Sequence, residues 1–213
     1  DGAARRGRRP AHGPRRGTAD PDARGPAPRW VLDDLDPYRD CFPARPAARL
    51  RQDEADRLGA GLDRAWARIA KRTPRHAAEM AESLTTVTPL NGAAPGEPSV
   101  GRHGYGALGI RPDDSAEQLP LALLRGFRRA KLRALLDVTD LYAADGSWEH
   151  RTPWQEELVP FSRLLAETYE RVALGAFEPH YLDGVPQAIE TLERAAELTV
   201  SGKQLLDLMR KEV

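Results

Sequence analysis

The segment "LLRGFRRAKLRALLDVTDLY", residues 123–142, decides the fold, because it predicts a long and mostly apolar helix at the centre of the molecule. Its apolar residues recur at helical spacing. Pro120 suits the first turn of a helix better than its interior, and Asp114 or Ser115 can cap the turn that follows. We therefore expect a central buried helix over residues 120–142.

Three arginines interrupt this apolar helix at Arg125, Arg128 and Arg129. With a step of about 100° per residue, Arg125 and Arg129 lie only about 40° apart on the helix circumference. Their neighbours on that face are leucines: Leu121, Leu132 and Leu136. Two like charges at this spacing cost a few tenths of a kcal/mol when exposed, and far more when buried without partners. Something must compensate these two charges.

The rest of the chain predicts a mainly α-helical protein with a small β-sheet, an α+β fold. Strands are expected at the start of "RWVLDDLDPYRDCF", before a turn at Asp36–Pro37, and in "TTVTPL" and "HGYGALGI". The Gly/Pro-rich segment "NGAAPGEPSVGR" is expected to form the loop that joins the last two strands. The segment "AADGSWEHRTPWQEE" reads as a loop, because it is rich in turn-forming residues. Amphipathic patterns predict five further helices, at 48–73, in "PRHAAEMAESL", and at 156–176, 185–198 and 201–212. The buried side of the last helix is expected to consist of Leu205, Leu206 and Met209.

Residues 1–29 differ in composition from the rest of the chain. Residues 1–30 hold eight arginines and three aspartates, which leaves 24 basic and 29 acidic residues for the remainder. Almost no large apolar side chain occurs in 1–29, so we expect a disordered Arg/Pro/Gly-rich linker or tail, followed by one folded domain over 30–213. Clustered arginines also contact phosphates, but no aromatic residues interleave for base stacking, so a linker is preferred over a nucleic-acid-binding segment.

Cysteine and histidine usage limits the chemistry that the chain can support. The single cysteine, Cys41, excludes an internal disulfide and a cysteine-ligated iron–sulfur cluster, and a reducing, cytoplasmic setting is the simplest expectation. Cys41 reads as a small buried residue. The chain lacks the run of about 18 apolar residues that a membrane span needs. The histidines show no metal-type spacing and are expected on surfaces or loops: His12, His76, His103, His150 and His180.

The central segment "LALLRGFRRAKLRALLDVTDLY" resembles the signature helix of the 2-oxoglutarate HExxH-type peptide β-hydroxylase family. Those domains occur alone or fused behind radical SAM/SPASM maturases of ribosomally made, modified peptides. The family reads approximately His-Glu-Phe-Gln-His-x-Lys-Leu at this point. The residues that match are Phe127, Lys131, Leu132, Leu135, Leu136, Asp137, Leu141 and Tyr142.

Other segments resemble the family in the same order along the chain. They are "LDDLDPYRDC", "LTTVTPL", "RHGYGALG", "RTPWQEELVPFSRLLAETYERVAL" and "TVSGKQLLDLMR". The likeness therefore covers roughly residues 30–213.

The chain departs from the family at every position of the metal-binding motif. Arg125 and Arg129 stand where the family has its two histidines, and Gly126 stands at the glutamate position. Arg171 aligns with a further family histidine, and Gln155 with an arginine that follows the Pro–Trp pair. Arginine stays protonated and offers no lone pair to a metal. The sequence therefore predicts no metal ligand and no catalytic residue at these positions.

The resemblance then implies a pseudo-hydroxylase, in which the fold is kept and the iron chemistry is lost. Such a domain would bind or present a ribosomal precursor peptide to a partner maturase, with Arg125, Arg129, Trp154 and Gln155 as candidate substrate-binding residues. No cofactor is then expected. If the family activity survives through relocated ligands, the cofactors are iron(II) and 2-oxoglutarate.

Two questions remain open at the level of the sequence. Arg125 and Arg129 either contact a ligand carboxylate or pair with acidic neighbours, such as Glu167 or Glu170 on the next helix, and merely fill the cavity. Gly126 in a helix interior costs roughly 0.5–1 kcal/mol relative to alanine. Its presence reflects either relaxed constraint at a former catalytic position or the close approach of another backbone.

Overall fold

The structure, a computed structural model, describes residues 30–36, 39–101, 105–143, 149–195 and 198–213. The predictions for the tail 1–29, for Pro37 and for His12 and His103 lie outside these residues. Six α-helices are described: α1 Gln52–Arg72, α2 Pro74–Ser83, α3 Gln118–Val138, α4 Phe161–Phe177, α5 Val185–Ala195 and α6 Val200–Glu212. The strands are β1 Val31–Leu32, β2 Arg45–Pro46, β3 Thr86–Asn91, β4 Ser99–Val100, β5 Ala107–Ile110, β6 Glu149–Thr152 and β7 Gln155–Pro160. The fold is mainly α with a small β-sheet, as predicted.

A small mixed sheet forms one side of the fold. Its central strand β3 runs parallel to both β1 and β5, while β4 is antiparallel to β5 and β2 is antiparallel to β3. The strands β3 and β5 were predicted from their apolar residues. The strand β4 lies inside the predicted Gly/Pro-rich loop and is only two residues long, so no periodic signal marks it.

The central helix α3 is shorter than predicted at its C-terminal end. It stops at Val138, and Thr139 adopts an extended conformation. Tyr142, expected inside the helix, instead forms an isolated antiparallel bridge with Leu198. At the other end Pro120 does lie in the first turn, and the Ser115 hydroxyl accepts hydrogen bonds from the backbone N–H groups of residues 117 and 118. Contacts with the segment before α6 therefore override the helical pattern after Val138.

Residues 149–157 of the segment predicted as a loop before α4 belong to an antiparallel hairpin instead. The strands β6 and β7 pair from Glu149 with Pro160 to Thr152 with Gln155. Consequently α4 begins at Phe161 and not near residue 156. The prediction failed because five of the six residues of β7 are exposed or half-exposed, so the strand lacks the alternation of buried apolar residues that identifies strands in a sequence.

The helices α3 and α4 join two hydrophobic clusters. Phe127 and Leu124 of α3 pack with α1, α2 and the mixed sheet in the first cluster. Leu132 packs with α4, α5, α6 and the hairpin in the second. The predicted buried side of α6 is confirmed: Leu205, Leu206 and Met209. No helix in the described part of the chain combines the length and the apolar character that crossing a bilayer requires.

Candidate functional site

A cavity of about 200 Å³ lies between α3, α4 and the turn of the β6–β7 hairpin. Five residues singled out in the sequence line it together: Arg125, Arg129, Trp154, Gln155 and Arg171. The remaining lining residues are Glu97, Glu167, Glu170, Leu174 and Tyr181. The fold thus gathers three separate sequence segments around one space. Gly126 is not among the residues that line it.

One wall of the cavity is a cluster of two arginines and two glutamates, which we call the Arg–Glu cluster: Arg125, Arg129, Glu97 and Glu170. Glu170 of α4 receives hydrogen bonds from Arg129 at 2.6 Å and 3.1 Å and lies 3.7 Å from Arg125. Glu97, which precedes β4, contacts Arg125 at 2.5 Å and Arg129 at 3.1 Å. Each guanidinium therefore faces both carboxylates.

The predicted pairing of the two arginines with an acidic residue of the next helix is confirmed for Glu170 and is wrong for Glu167. Glu97 was not predicted as a partner, because it lies in a loop 28 residues before Arg125 and carries no periodic signal. The only hint available in the sequence was an acidic residue between the two predicted strands. Pairing across such a distance is settled by the fold.

The two carboxylates of the Arg–Glu cluster differ in exposure. The side chain of Glu170 is 7% exposed, whereas that of Glu97 is 44% exposed. Burial raises the pKa of Glu170, and its hydrogen bonds with Arg129 oppose that shift. Burial lowers the pKa of Arg129, but the hydrogen bonds and charges of Glu170 and Glu97 outweigh it and raise the pKa overall. The two guanidiniums and the two carboxylates contact one another, so the cluster balances in formal charge.

The residues present do not fit an iron(II) site of the kind that the resembled family implies. Iron(II) oxygenases use about three histidine or carboxylate ligands with open positions for co-substrate. Here guanidinium groups, which lack a lone pair, occupy the motif positions and already hold the neighbouring carboxylates. Within the described residues, no group of three or more His, Cys, Asp or Glu side chains is arranged to hold a metal ion.

A second wall holds Arg171, whose environment differs from that of the other two arginines. Its guanidinium carbon lies 4.3 Å from the centroid of the Trp154 ring and 5.9 Å from that of Tyr181. It donates one hydrogen bond, to the backbone carbonyl of Tyr181, at 3.1 Å. Across the ranges that the structure describes, Arg171 forms no ion pair with a carboxylate. Burial lowers the pKa of Arg171, because the charged form loses contact with water.

Trp154 and Gln155 complete this second wall. The Trp154 indole N–H donates to Glu167 at 2.8 Å, and Arg163 donates to the other Glu167 oxygen at 2.7 Å. The ring is thereby held in place. The side-chain amide nitrogen of Gln155 is buried and has no hydrogen-bond partner among the described residues. The second wall therefore offers hydrogen-bond donors that lack acceptors.

Gly126 faces the mixed sheet instead of the cavity. A Cβ atom at this position would lie 3.0 Å from both methyl carbons of Leu108 and 3.0 Å from Cβ of Pro98. Both of these neighbours are buried. The three nearest atoms belong to side chains, so tight side-chain packing, and not the close approach of another backbone, explains a glycine at this position.

Arg128 is the most buried of the three arginines, and the sequence predicted no role for it. It is 3% exposed, its guanidinium carbon lies 3.5 Å from the Tyr169 ring centroid, and it donates to the Tyr169 carbonyl at 3.2 Å. It also pairs with Glu212 of α6 at 3.5 Å. At about 60° from Arg125 on the helix circumference, it falls on the same leucine face, so a signal existed. It joins three helices and does not line the cavity.

The described histidines and Cys41 correct part of the sequence analysis. His76 on α2 is 7% exposed and belongs to the interior, not to a surface or loop. His150 is half-buried, packs edge-on against Phe161, and has a buried Nε2 without a partner. His180 is exposed, as predicted, whereas Cys41 is half-buried instead of buried.

No model of a protein family matches the chain. No curated protein matches it either. The function is therefore inferred from the cavity and from the residues that line it.

Proposed function

We propose that this chain is a degenerate 2-oxoglutarate/iron peptide β-hydroxylase-like domain that binds a segment of a ribosomal precursor peptide in natural-product maturation. The observation that carries the proposal is the convergence of Arg125, Arg129, Trp154, Gln155 and Arg171 on one cavity. These positions align with the family's metal-binding motif, its further histidine and its Pro–Trp segment. Their proximity supports a shared origin for this cavity and the family's active site.

Loss of the iron chemistry follows from the charges in the cavity. Arg125 and Arg129 place two positive charges beside the two carboxylates that a cation would need. A divalent metal would have to displace both guanidiniums from Glu170, which is buried, and leave them without partners. The cluster thus stabilises the packing of α3 on α4 and the position of Glu97 without a metal.

Retention of a binding role follows from the second wall. A fixed indole ring lies at this wall, together with a guanidinium and an amide nitrogen that have no carboxylate and no acceptor, respectively, among the described residues. These groups line a space that the described residues do not fill. Aromatic residues and arginine are the types enriched where proteins contact partners. We expect the partner to be a precursor peptide or the maturase that acts on it, encountered in the cytoplasm.

The first test measures iron and co-substrate binding. The protein is reconstituted anaerobically with iron(II), desalted and analysed for metal, and 2-oxoglutarate is titrated by calorimetry. We expect no stoichiometric iron and no 2-oxoglutarate heat that depends on added iron(II). Stoichiometric binding of both would contradict the proposal and identify an active hydroxylase with relocated ligands.

The second test measures peptide binding at the cavity. Random twelve-residue peptides displayed on phage are selected on the immobilised protein, and the enriched peptides are measured against two variants. Gln155→Trp fills the cavity and should abolish binding, whereas Gln187→Trp, on the exposed side of α5, should leave binding unchanged. Peptides that bind all three proteins equally would place the binding surface elsewhere.

A further inference from the structure

We infer that the second wall of the cavity, formed by Arg171, Trp154 and Gln155, seats a carboxylate, namely the side chain of an aspartate or glutamate in the bound peptide. This inference rests on the proposed function and specifies its ligand. It also differs from the expectation drawn from the sequence, in which Arg125 and Arg129 would contact the acidic group. The structure assigns that role to Arg171.

The charges around the cavity are not all paired within the described residues. Three arginines and three glutamates line it, and every one of the glutamates is already engaged by a donor. Arg125 and Arg129 share Glu97 and Glu170. Within the described residues, Arg171 is the cavity arginine without a carboxylate partner, and a partly buried cation in that state favours an incoming anion.

The second wall carries hydrogen-bond donors that have no acceptor among the described residues. A guanidinium carries five N–H groups. Arg171 uses one to contact the Tyr181 carbonyl. Gln155 adds a buried amide nitrogen without a partner at the same cavity. A carboxylate, which only accepts hydrogen bonds and has two oxygens, complements this set, whereas an ammonium or guanidinium ligand does not.

The Arg171 guanidinium is held in place before a ligand binds. The Trp154 ring is held by its hydrogen bond to Glu167, and the Arg171 guanidinium stacks over that ring. Stacking on a fixed ring limits the orientations of the guanidinium plane before a ligand arrives. Less conformational freedom is then lost on binding, which increases affinity.

The size of the cavity limits the ligands that it can hold. The cavity measures about 200 Å³, which is below the roughly 300–1,000 Å³ of typical small-molecule and cofactor sites. A space of this size admits one side chain and not a larger organic ligand. The acidic group is therefore expected to arrive as a single residue of an extended segment that lies across the cavity mouth.

The experiment follows the indole N–H resonance of Trp154 in ¹⁵N-labelled protein, assigned with Trp154→Phe. The probes are the capped tripeptides acetyl-Gly-Asp-Gly-amide and acetyl-Gly-Asn-Gly-amide, with succinate as a small dicarboxylate. We expect saturable shifts with the aspartate peptide and at least about tenfold weaker binding of the asparagine peptide, because a charge-assisted contact is lost.

Matched variants connect the shift with Arg171. Arg171→Gln should weaken binding of the aspartate peptide at least about tenfold, while Arg194→Gln, which removes one exposed positive charge on α5, should leave it unchanged. Equal binding of the two peptides, or equal binding by Arg171→Gln and the unaltered protein, would overturn the inference. Saturable binding of succinate without the aspartate peptide would keep the carboxylate seat but contradict the proposed peptide-binding function.

Discussion

Replacing Gly126 by alanine separates two contributions to stability, helix propensity and side-chain packing. Gly126 lies in the interior of α3, where alanine is favoured over glycine by about 1 kcal/mol. The new methyl group, however, would lie 3.0 Å from two carbons of Leu108 and from one of Pro98. Both neighbours are buried, so they cannot move aside into solvent. The packing cost should therefore exceed the gain in propensity.

The magnitude can be bounded. Overpacking a buried site costs typically about 1–3 kcal/mol, so Gly126→Ala should lower the free energy of unfolding by about 1 kcal/mol after the propensity gain is subtracted. Gly59→Ala is the matched control, since Gly59 also lies inside a helix, α1, but apart from the adjacent residues and backbone of that helix no described atom lies within 4 Å of the added Cβ. That variant should raise stability by about 0.5–1 kcal/mol. The two substitutions are chemically identical and should change stability in opposite directions.

Urea unfolding followed by circular dichroism measures both variants, with equal m values required for comparison. If Gly126→Ala stabilises the protein as much as Gly59→Ala does, the contact between α3 and β5 is loose and the packing argument is wrong. A double-mutant cycle with Leu108→Ala adds an independent check. Removing the leucine methyl groups should relieve the added Cβ, so Gly126→Ala should become less harmful in that background.

Two further outcomes are expected from the same unfolding assay. Glu170→Gln removes a carboxylate that is 7% exposed and should lower stability by about 2 kcal/mol, because two guanidiniums lose their buried partner. Glu190→Gln, in an exposed pair with Arg194, should change stability by less than about 0.5 kcal/mol. Equal losses would show that the Arg–Glu cluster does not hold α3 on α4. Burial, and secondarily the charge of Arg128, lowers the pKa of His76 from its ordinary value of 6.5, although Glu79 and Glu212 oppose this shift. The unfolded state then binds a proton more readily, so stability should fall as the pH drops through 6.5 toward the folded-state pKa, and His76→Gln should flatten that dependence; an unchanged pH profile would contradict this sign.

Helical periodicity in the sequence predicted most of the α-helical architecture. The central helix, the Ser115 cap and the buried side of α6 all follow from spacing and local chemistry, which act over one or two turns. The β6–β7 hairpin was not predicted, because its strands carry polar residues on exposed faces and their pairing is a contact between segments. The end of α3 at Val138 was missed for a related reason, since contacts with the segment around Leu198 draw the chain out of the helix.

The amino-acid sequence alone was enough to place Arg125 and Arg129 on one face of a mostly apolar helix and to show that they cannot ligate a metal, because helix geometry and guanidinium chemistry are local properties. Whether those charges are free or paired was settled only in three dimensions. Their partners Glu97 and Glu170 lie 28 residues before Arg125 and 41 residues after Arg129, in a loop and on another helix. The same folding leaves Arg171 against Trp154 without a carboxylate among the described residues. Charge pairing over such distances depends on which surfaces the core brings together, and no local pattern encodes it.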